Sequence, residues 1–149
     1  LDPMRQEEFV TSKGKGCTVN GHRARCGDKS SLLGALIGTG GNHADYAQHQ
    51  SNVYQRMLTE NAMVRSAGSA ALDLAYVATG RMDGVWFKGL NIWDMAAGVL
   101  MIQETGGLLG DFNGGAGHLQ SGDIVAGSPR VFKALAPIVK KNFAQASAD

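Results

Sequence analysis

Apolar and polar positions change period several times along this chain, and the changes mark out short strands and helices. Near the start, Glu8 to Ser12 and Cys17 to Val19 are β-prone runs flanking Lys13-Gly14-Lys15-Gly16, which predicts a hairpin. Asn20-Gly21 marks a second turn before His22 to Arg25, so residues 1–27 read as β structure. Leu32 to Thr39 is a short apolar run that predicts a buried strand, and Gly38 to Asn42 a loop. Across residues 44–62, Tyr46, Val53, Tyr54, Met57 and Leu58 recur at helical spacing with polar residues between them.

The same reading continues to the end. Met63 to Arg65 predicts a strand, and Ser69 caps a helix over 70–79 that Gly80 stops. Val85 to Phe87 is a strand. Asp94 opens a helix over 95–105 that is apolar almost all round, hence expected to be buried, and Gly106-Gly107 close it. Leu108 to Phe112 and Ile124 to Ala126 are further strands. Ser128-Pro129 starts a last helix over 130–142, and the tail from Asn142 to Asp149 reads as frayed. Strands alternate with helices from Leu32 onward, an α/β pattern with a β hairpin in front.

Composition narrows the function classes. Hydrophobic residues make up 44% and charged residues 18%, which predicts an ordered globular chain. The charge sum of 14 basic and 13 acidic residues leaves no basic footprint for nucleic acid. Apolar runs fall far short of the ~18 residues of a membrane span, so no membrane partner is expected. Cys17 and Cys26 have the option of bridging but read rather as reduced thiols of a cytoplasmic protein, and no C-x-x-C supports zinc. The four histidines lack metal-ligand spacing. Glycine is in excess, 21 of 149 residues, without a collagen period, so it serves turns and close approaches.

Two helix starts carry candidate chemistry. In Arg65-Ser66-Ala67-Gly68-Ser69-Ala70-Ala71, small residues leave backbone N–H groups uncovered at the positive end of a helix, which suits a phosphate or hydroxyl-rich ligand. A turn and a cap would use the same residues. In Trp93-Asp94-Met95-Ala96-Ala97-Gly98, Asp94 reads either as an ordinary N-cap or as a hard-metal ligand on a rigid helix. Asp73, within a helix, and Asp83, before a strand, read as solvated or capping. Asp111 to Gly115 reads as a turn.

At these junctions the sequence resembles the carboxyl-terminal half of the inositol monophosphatase family. The segments are Arg65 to Gly84 (RSAGSAALDLAYVATGRMDG) and Trp93 to Gly107 (WDMAAGVLMIQETGG), the latter carrying the family's W-D-x-A-A-G signature. Asp2 to Phe9 and Gly14 to Gly21 also resemble the family's central strands. The likeness extends to about Leu135 and includes the bacterial branch with its extragenic suppressor proteins. It implies a layered αβαβα fold of the fructose-1,6-bisphosphatase type. Residues 1–27 would then be strands of a truncated N-terminal α+β half, and 28–149 the C-terminal α/β half. It implies a Mg²⁺-dependent, lithium-sensitive phosphatase of small phosphate monoesters, usually a homodimer. Asp94 would ligate Mg²⁺, and Gly68, Ser69 and Ala70 would contact the sugar or inositol ring near the phosphate.

Two departures qualify what the resemblance implies. The family's upstream Glu and its D-P-I/L-D-G-T motif, which supply further metal ligands, have no counterpart here; Asp2-Pro3-Met4-Arg5 is not that motif. The abrupt Leu1-Asp2-Pro3 start therefore reads as a cut edge, and the chain by itself is expected to be an incomplete phosphatase. Secondly, Phe87 stands where many relatives place a ring-contacting Glu, seven residues before Asp94, so inositol phosphate is not the expected preferred substrate. A non-catalytic role is the competing expectation. Some bacterial relatives contact the transcription machinery during ribosomal RNA synthesis, and a dimerisation module is a further form of it.

Overall fold

The structure, a computed structural model, describes residues 1–41 and 44–143. Two sheets organise them. The amino-terminal strands β1 (Phe9–Ser12), β2 (Gly16–Val19) and β3 (His22–Ala24) form a three-stranded antiparallel meander. Phe9 pairs with Val19 and Ser12 with Gly16, as the hairpin pattern requires. Asn20 and Gly21 both take positive φ (48° and 79°), the conformation of the tight turn that joins β2 to β3.

The second sheet has the order β5-β4-β6-β8-β7, built from β4 (Leu36–Gly40), β5 (Met63–Arg65), β6 (Gly84–Phe87), β7 (Leu108–Gly110) and β8 (Ile124–Gly127). β4 runs parallel to β5 and β6, whereas β8 is antiparallel to β6 and β7. Its helices are α1 (Ala47–Thr59), α2 (Ala70–Ala78), α3 (Ile92–Glu104), the short α4 (His118–Ser121) and α5 (Pro129–Phe143).

Alternation along β6 and β8 feeds two cores. Val85, Phe87, Ile124 and Ala126 pack with α2 and α3, and this layer also buries Phe9 and Cys17 of the meander. Ile37, Trp86 and Val125 pack with α1 and α5. The layers therefore run meander, α2–α3, central sheet, α1–α5. The expected layered α/β architecture is present. Glycines set its tightest contacts. A Cβ on Gly98 of α3 would stand 2.5 Å from the Cβ of Leu74 on α2, so only glycine permits this approach.

Several boundaries differ from the sequence reading. The strand expected from Leu32 begins at Leu36, because Leu32 to Ala35 close a turn (Ala35 N–H to Leu32 O, 2.9 Å) with Gly34 at φ 64°. The strand expected to reach Phe112 stops at Gly110: the Asp111 carboxylate accepts the N–H groups of Asn113, Gly115 and Gly117 and folds the chain back. The last helix continues through Asn142 to Phe143, whose ring packs 4.7 Å from that of Phe112. The rest of the expected frayed tail, 144–149, lies outside the described residues, as do Asn42 of the expected loop and His43.

The helix expected to be buried all round is not. α3 buries Met95, Gly98, Val99, Met101 and Ile102 but leaves Ile92 and Trp93 53% and 75% exposed, with Ala96 and Ala97 also on the open side. Composition gave no polar stripe to mark that side. Both cysteines are free thiols, Cys17 buried and Cys26 partly so. No described helix is long and apolar enough to cross a membrane.

Candidate active site

The carboxyl ends of the parallel strands β4 and β6 open into a cleft of about 280 Å³. Ends of this kind are where α/β sheets bind ligands, since chain leaving each strand turns away and exposes backbone. Thr39, Gly40 and the following Gly41 line it at the end of β4, and Phe87 with the following Lys88 to Leu90 at the end of β6. Ser66 and the Gly68-Ser69-Ala70 turn line it from the start of α2, and Asp94 from the start of α3. All four residues nominated from the sequence, Gly68, Ser69, Ala70 and Asp94, thus line one cleft. A larger cleft of about 600 Å³ between α1 and α5 is lined by none of them and, among the described residues, by no acidic side chain.

Local chemistry explains both helix starts. Gly68 adopts φ 85°, and a Cβ there would meet nothing within 4 Å, so backbone conformation rather than crowding selects glycine. Ser69 is the N-cap of α2, and its Oγ accepts the Leu72 N–H at 3.3 Å. At α3 the expectation that Asp94 opens the helix is corrected. Asn91 is the N-cap and Asp94 the third helical residue. Its Oδ2 accepts the Asn91 N–H at 3.2 Å, the carboxylate arm of a capping box.

The floor is apolar. Phe87 is buried, and a Cβ on Gly40 would stand 3.4 Å from its ring and 3.5 Å from Ser66 Oγ, so glycine keeps the space between them open. Lys88 does not offer a free cation to the cleft. Its ammonium pairs with Asp123 at 3.0 Å and stands 5.8 Å from the rings of Tyr46 and Phe112 and 5.9 Å from that of Phe143. Among the described residues Asp94 is the one carboxylate lining the cleft. Among the described residues no group of three or more His, Cys, Asp or Glu side chains is placed to hold a metal ion. The donor set therefore fits one ligand position of a hard-cation site and not a whole site.

Sequence reasoning missed two features. The tip of β4, Thr39-Gly40, and the Gly41 that follows it line the cleft; their signal was a glycine-rich end to an apolar strand. Asp73 is the other. It was expected to be solvated or capping, yet it is 1% exposed and neither carboxylate oxygen has a hydrogen-bond partner. Burial pushes its carboxyl above the usual carboxylate range, and Arg65 draws it the other way. Asp83, also expected to be solvated or capping, instead ties two elements together: its Oδ2 accepts the N–H of Leu36, the first residue of β4, at 2.8 Å. Asp111 is held below the ordinary range by the N–H groups of its own turn, Gly115 first.

The model of the inositol monophosphatase family matches residues 1–144. The chain is 50% identical over 139 residues to a protein named Nus factor SuhB from Pseudomonas aeruginosa, covering 91% of this chain and 51% of that protein. It is 42% identical over 142 residues to an inositol-1-monophosphatase from Mesorhizobium japonicum, covering 94% and 53%. Among solved structures, the extragenic suppressor protein suhB from Bartonella henselae superposes with a TM-score of 0.89 at 37% identity, over 93% of this chain and 54% of that one. An IMPase from Thermotoga maritima does so with a TM-score of 0.85 at 28% identity, over 97% and 55%. The chain spans about half the length of the relatives it matches.

Proposed function

The chain belongs to the inositol monophosphatase family, and from that premise we propose that it supplies one wall of a Mg²⁺-dependent phosphomonoesterase site. The observation that carries the reading is the convergence of Asp94 and the Gly68–Ala70 turn on one cleft at the strand ends. Asp94 is the residue that would hold the metal. Its carboxylate is a hard oxygen donor fixed by the Asn91 N–H, and Mg²⁺ is commonly bound by one or two carboxylates plus substrate phosphate. Bound there, the metal would polarise the phosphate and activate water. The chain's own part is to bind and orient. Ala70, the first residue of α2, lines the cleft. Ser69 Oγ takes the Leu72 N–H, and the N–H groups of Ala70 and Ala71 have no acceptor within the helix, so a phosphate or ring hydroxyl bound beside this helix start can accept them.

The remaining metal ligands come, in this reading, from outside these residues. The isolated chain incubated with Mg²⁺ and inositol monophosphate is expected to release no phosphate above background. Robust turnover would overturn the partial-site reading. The apolar Phe87 floor adds an expectation about substrate. A phenyl ring accepts no hydrogen bond from ring hydroxyls, so the protein at its relatives' length is expected to prefer other small sugar phosphates to inositol 1-phosphate. Kinetics on both substrates decide that point.

A second reading has one observation in its favour, the 50% identity to a protein named Nus factor. In it the surface makes contacts with the transcription machinery and the cleft is secondary. An Asp94→Asn variant separates the two. Loss of hydrolysis with an intact cellular phenotype supports the contact role, and loss of both supports the enzyme.

A further inference from the structure

Helix α2 is held between two glycine contacts. Leu74 faces α3, where Gly98 leaves room for it, and Asp73 faces the central sheet, where its Oδ2 would be 3.3 Å from a Cβ on Gly38 of β4. Those same elements end at the cleft: α2 begins with the Ser69 cap, and β4 ends with Thr39-Gly40, followed by Gly41. Asp73 lies one helical turn below the cap, its N–H bonded to Ser69 O at 3.0 Å. It does not line the cleft, and it is the polar side chain between α2 and β4 with no hydrogen-bond partner on either oxygen.

A buried carboxyl without partners is costly when ionised, and a chain that needed only stability would place an apolar residue there. Its surroundings give it a single charged counterpart among the described residues. β4 presents Gly38, and the segment after α2 presents the Met82 sulfur to the same spot. The neighbouring strand β5 presents Arg65, whose backbone pairs with Gly38 and whose charge opposes the effect of burial. Arg65 in turn precedes Ser66, which lines the cleft.

We propose that Asp73 is a positioning residue whose protonation sets how α2 seats on β4, and so where the Gly68–Ala70 turn stands relative to Asp94. Neutral, the carboxyl rests against Gly38 and Met82. Ionised, it is drawn toward Arg65 and carries the start of α2 with it. The inference rests on the proposed function only in taking the Gly68–Ala70 turn as the edge that meets ligand.

The test is a pH titration of the isotopically labelled chain followed by nuclear magnetic resonance. The Asp73 carboxyl is expected to titrate above the exposed aspartates, and the amide signals of Gly68, Ser69 and Ala70 to move with the same midpoint. Asp73→Asn is expected to abolish that movement and leave the amides near their low-pH positions. Arg65→Gln, which leaves the core untouched should Asp73→Asn fold poorly, is expected to raise the shared midpoint. Amides that stay still while Asp73 titrates would reduce it to a buried structural residue and overturn the proposal. So would amides that titrate unchanged in either variant. The readout needs no turnover, so an inactive cleft and a static turn are distinguishable failures.

Discussion

The first turns of α2 and α3 face the same cleft but treat their carboxylates in opposite ways. α3 keeps Asp94 at the cleft, anchored through one oxygen to its own cap. α2 turns Asp73 inward, away from solvent and from any partner. The first arrangement costs little, because water and a backbone N–H solvate the charge, and it leaves the group able to meet a cation. The second costs stability and offers nothing to solvent. An acid's place on a helix start therefore says little about its use; what surrounds its oxygens decides.

Changes to the two helices should separate these roles. The largest stability effect is expected where the helices meet. Gly98→Ala places a Cβ against Leu74, and overpacking of about 1–3 kcal/mol outweighs the helix-propensity gain of about 1 kcal/mol. Urea unfolding of this variant should show a net loss of up to about 2 kcal/mol; a raised midpoint would mean that α2 and α3 slide apart freely.

Asp73→Asn should act in the other direction. Folding raises the Asp73 pKa, so the native state binds the proton more tightly than the unfolded chain. Stability is then full below the ordinary aspartate range, near ~3.9, and falls as pH rises toward the folded-state value. The variant, which cannot ionise, should be more stable at neutral pH by on the order of 1 kcal/mol. That gain should vanish in acid. Thermal unfolding at pH 7 and pH 4 reads both. Ser69→Ala removes the α2 cap and should cost about 0.5–1 kcal/mol at any pH, seen as faster exchange of the Leu72 amide. Smallest of all, Glu104→Gln weakens the clamp that its carboxylate makes on the Gly14 and Gly16 N–H groups (2.7 and 2.9 Å). The loss should be under about 1 kcal/mol and confined to the meander.

Much of this fold was legible because its punctuation is local. Asn20-Gly21, Ser69 and Gly80 each act on their immediate neighbours, and each sits where the pattern put it. The cleft residues were legible for a related reason: helix starts with small residues stand out in any sequence. What was illegible depends on partners far away in the chain. The open side of α3 has no polar stripe to betray it, since alanines serve either environment. The burial of Asp73 follows from α2 seating on β4 beside Met82 and Val85, and nothing within a few residues of Asp73 signals that. Leu32 looked like strand because its apolar neighbours do, whereas a turn at Gly34 holds it.

The central claim is that Asp94 serves the cleft's chemistry rather than the helix that carries it. Its most direct test is Mg²⁺-dependent hydrolysis of a small phosphate monoester by the protein at its relatives' length, comparing Asp94→Asn with the unaltered chain. Loss of a metal ligand is expected to lower kcat/KM by at least about 100-fold, roughly 2.7 kcal/mol of transition-state stabilisation. The unfolding midpoint should stay within the small effect of half a capping box. Hydrolysis at the unaltered rate with the same Mg²⁺ dependence would contradict the claim and return Asp94 to the role of a cap.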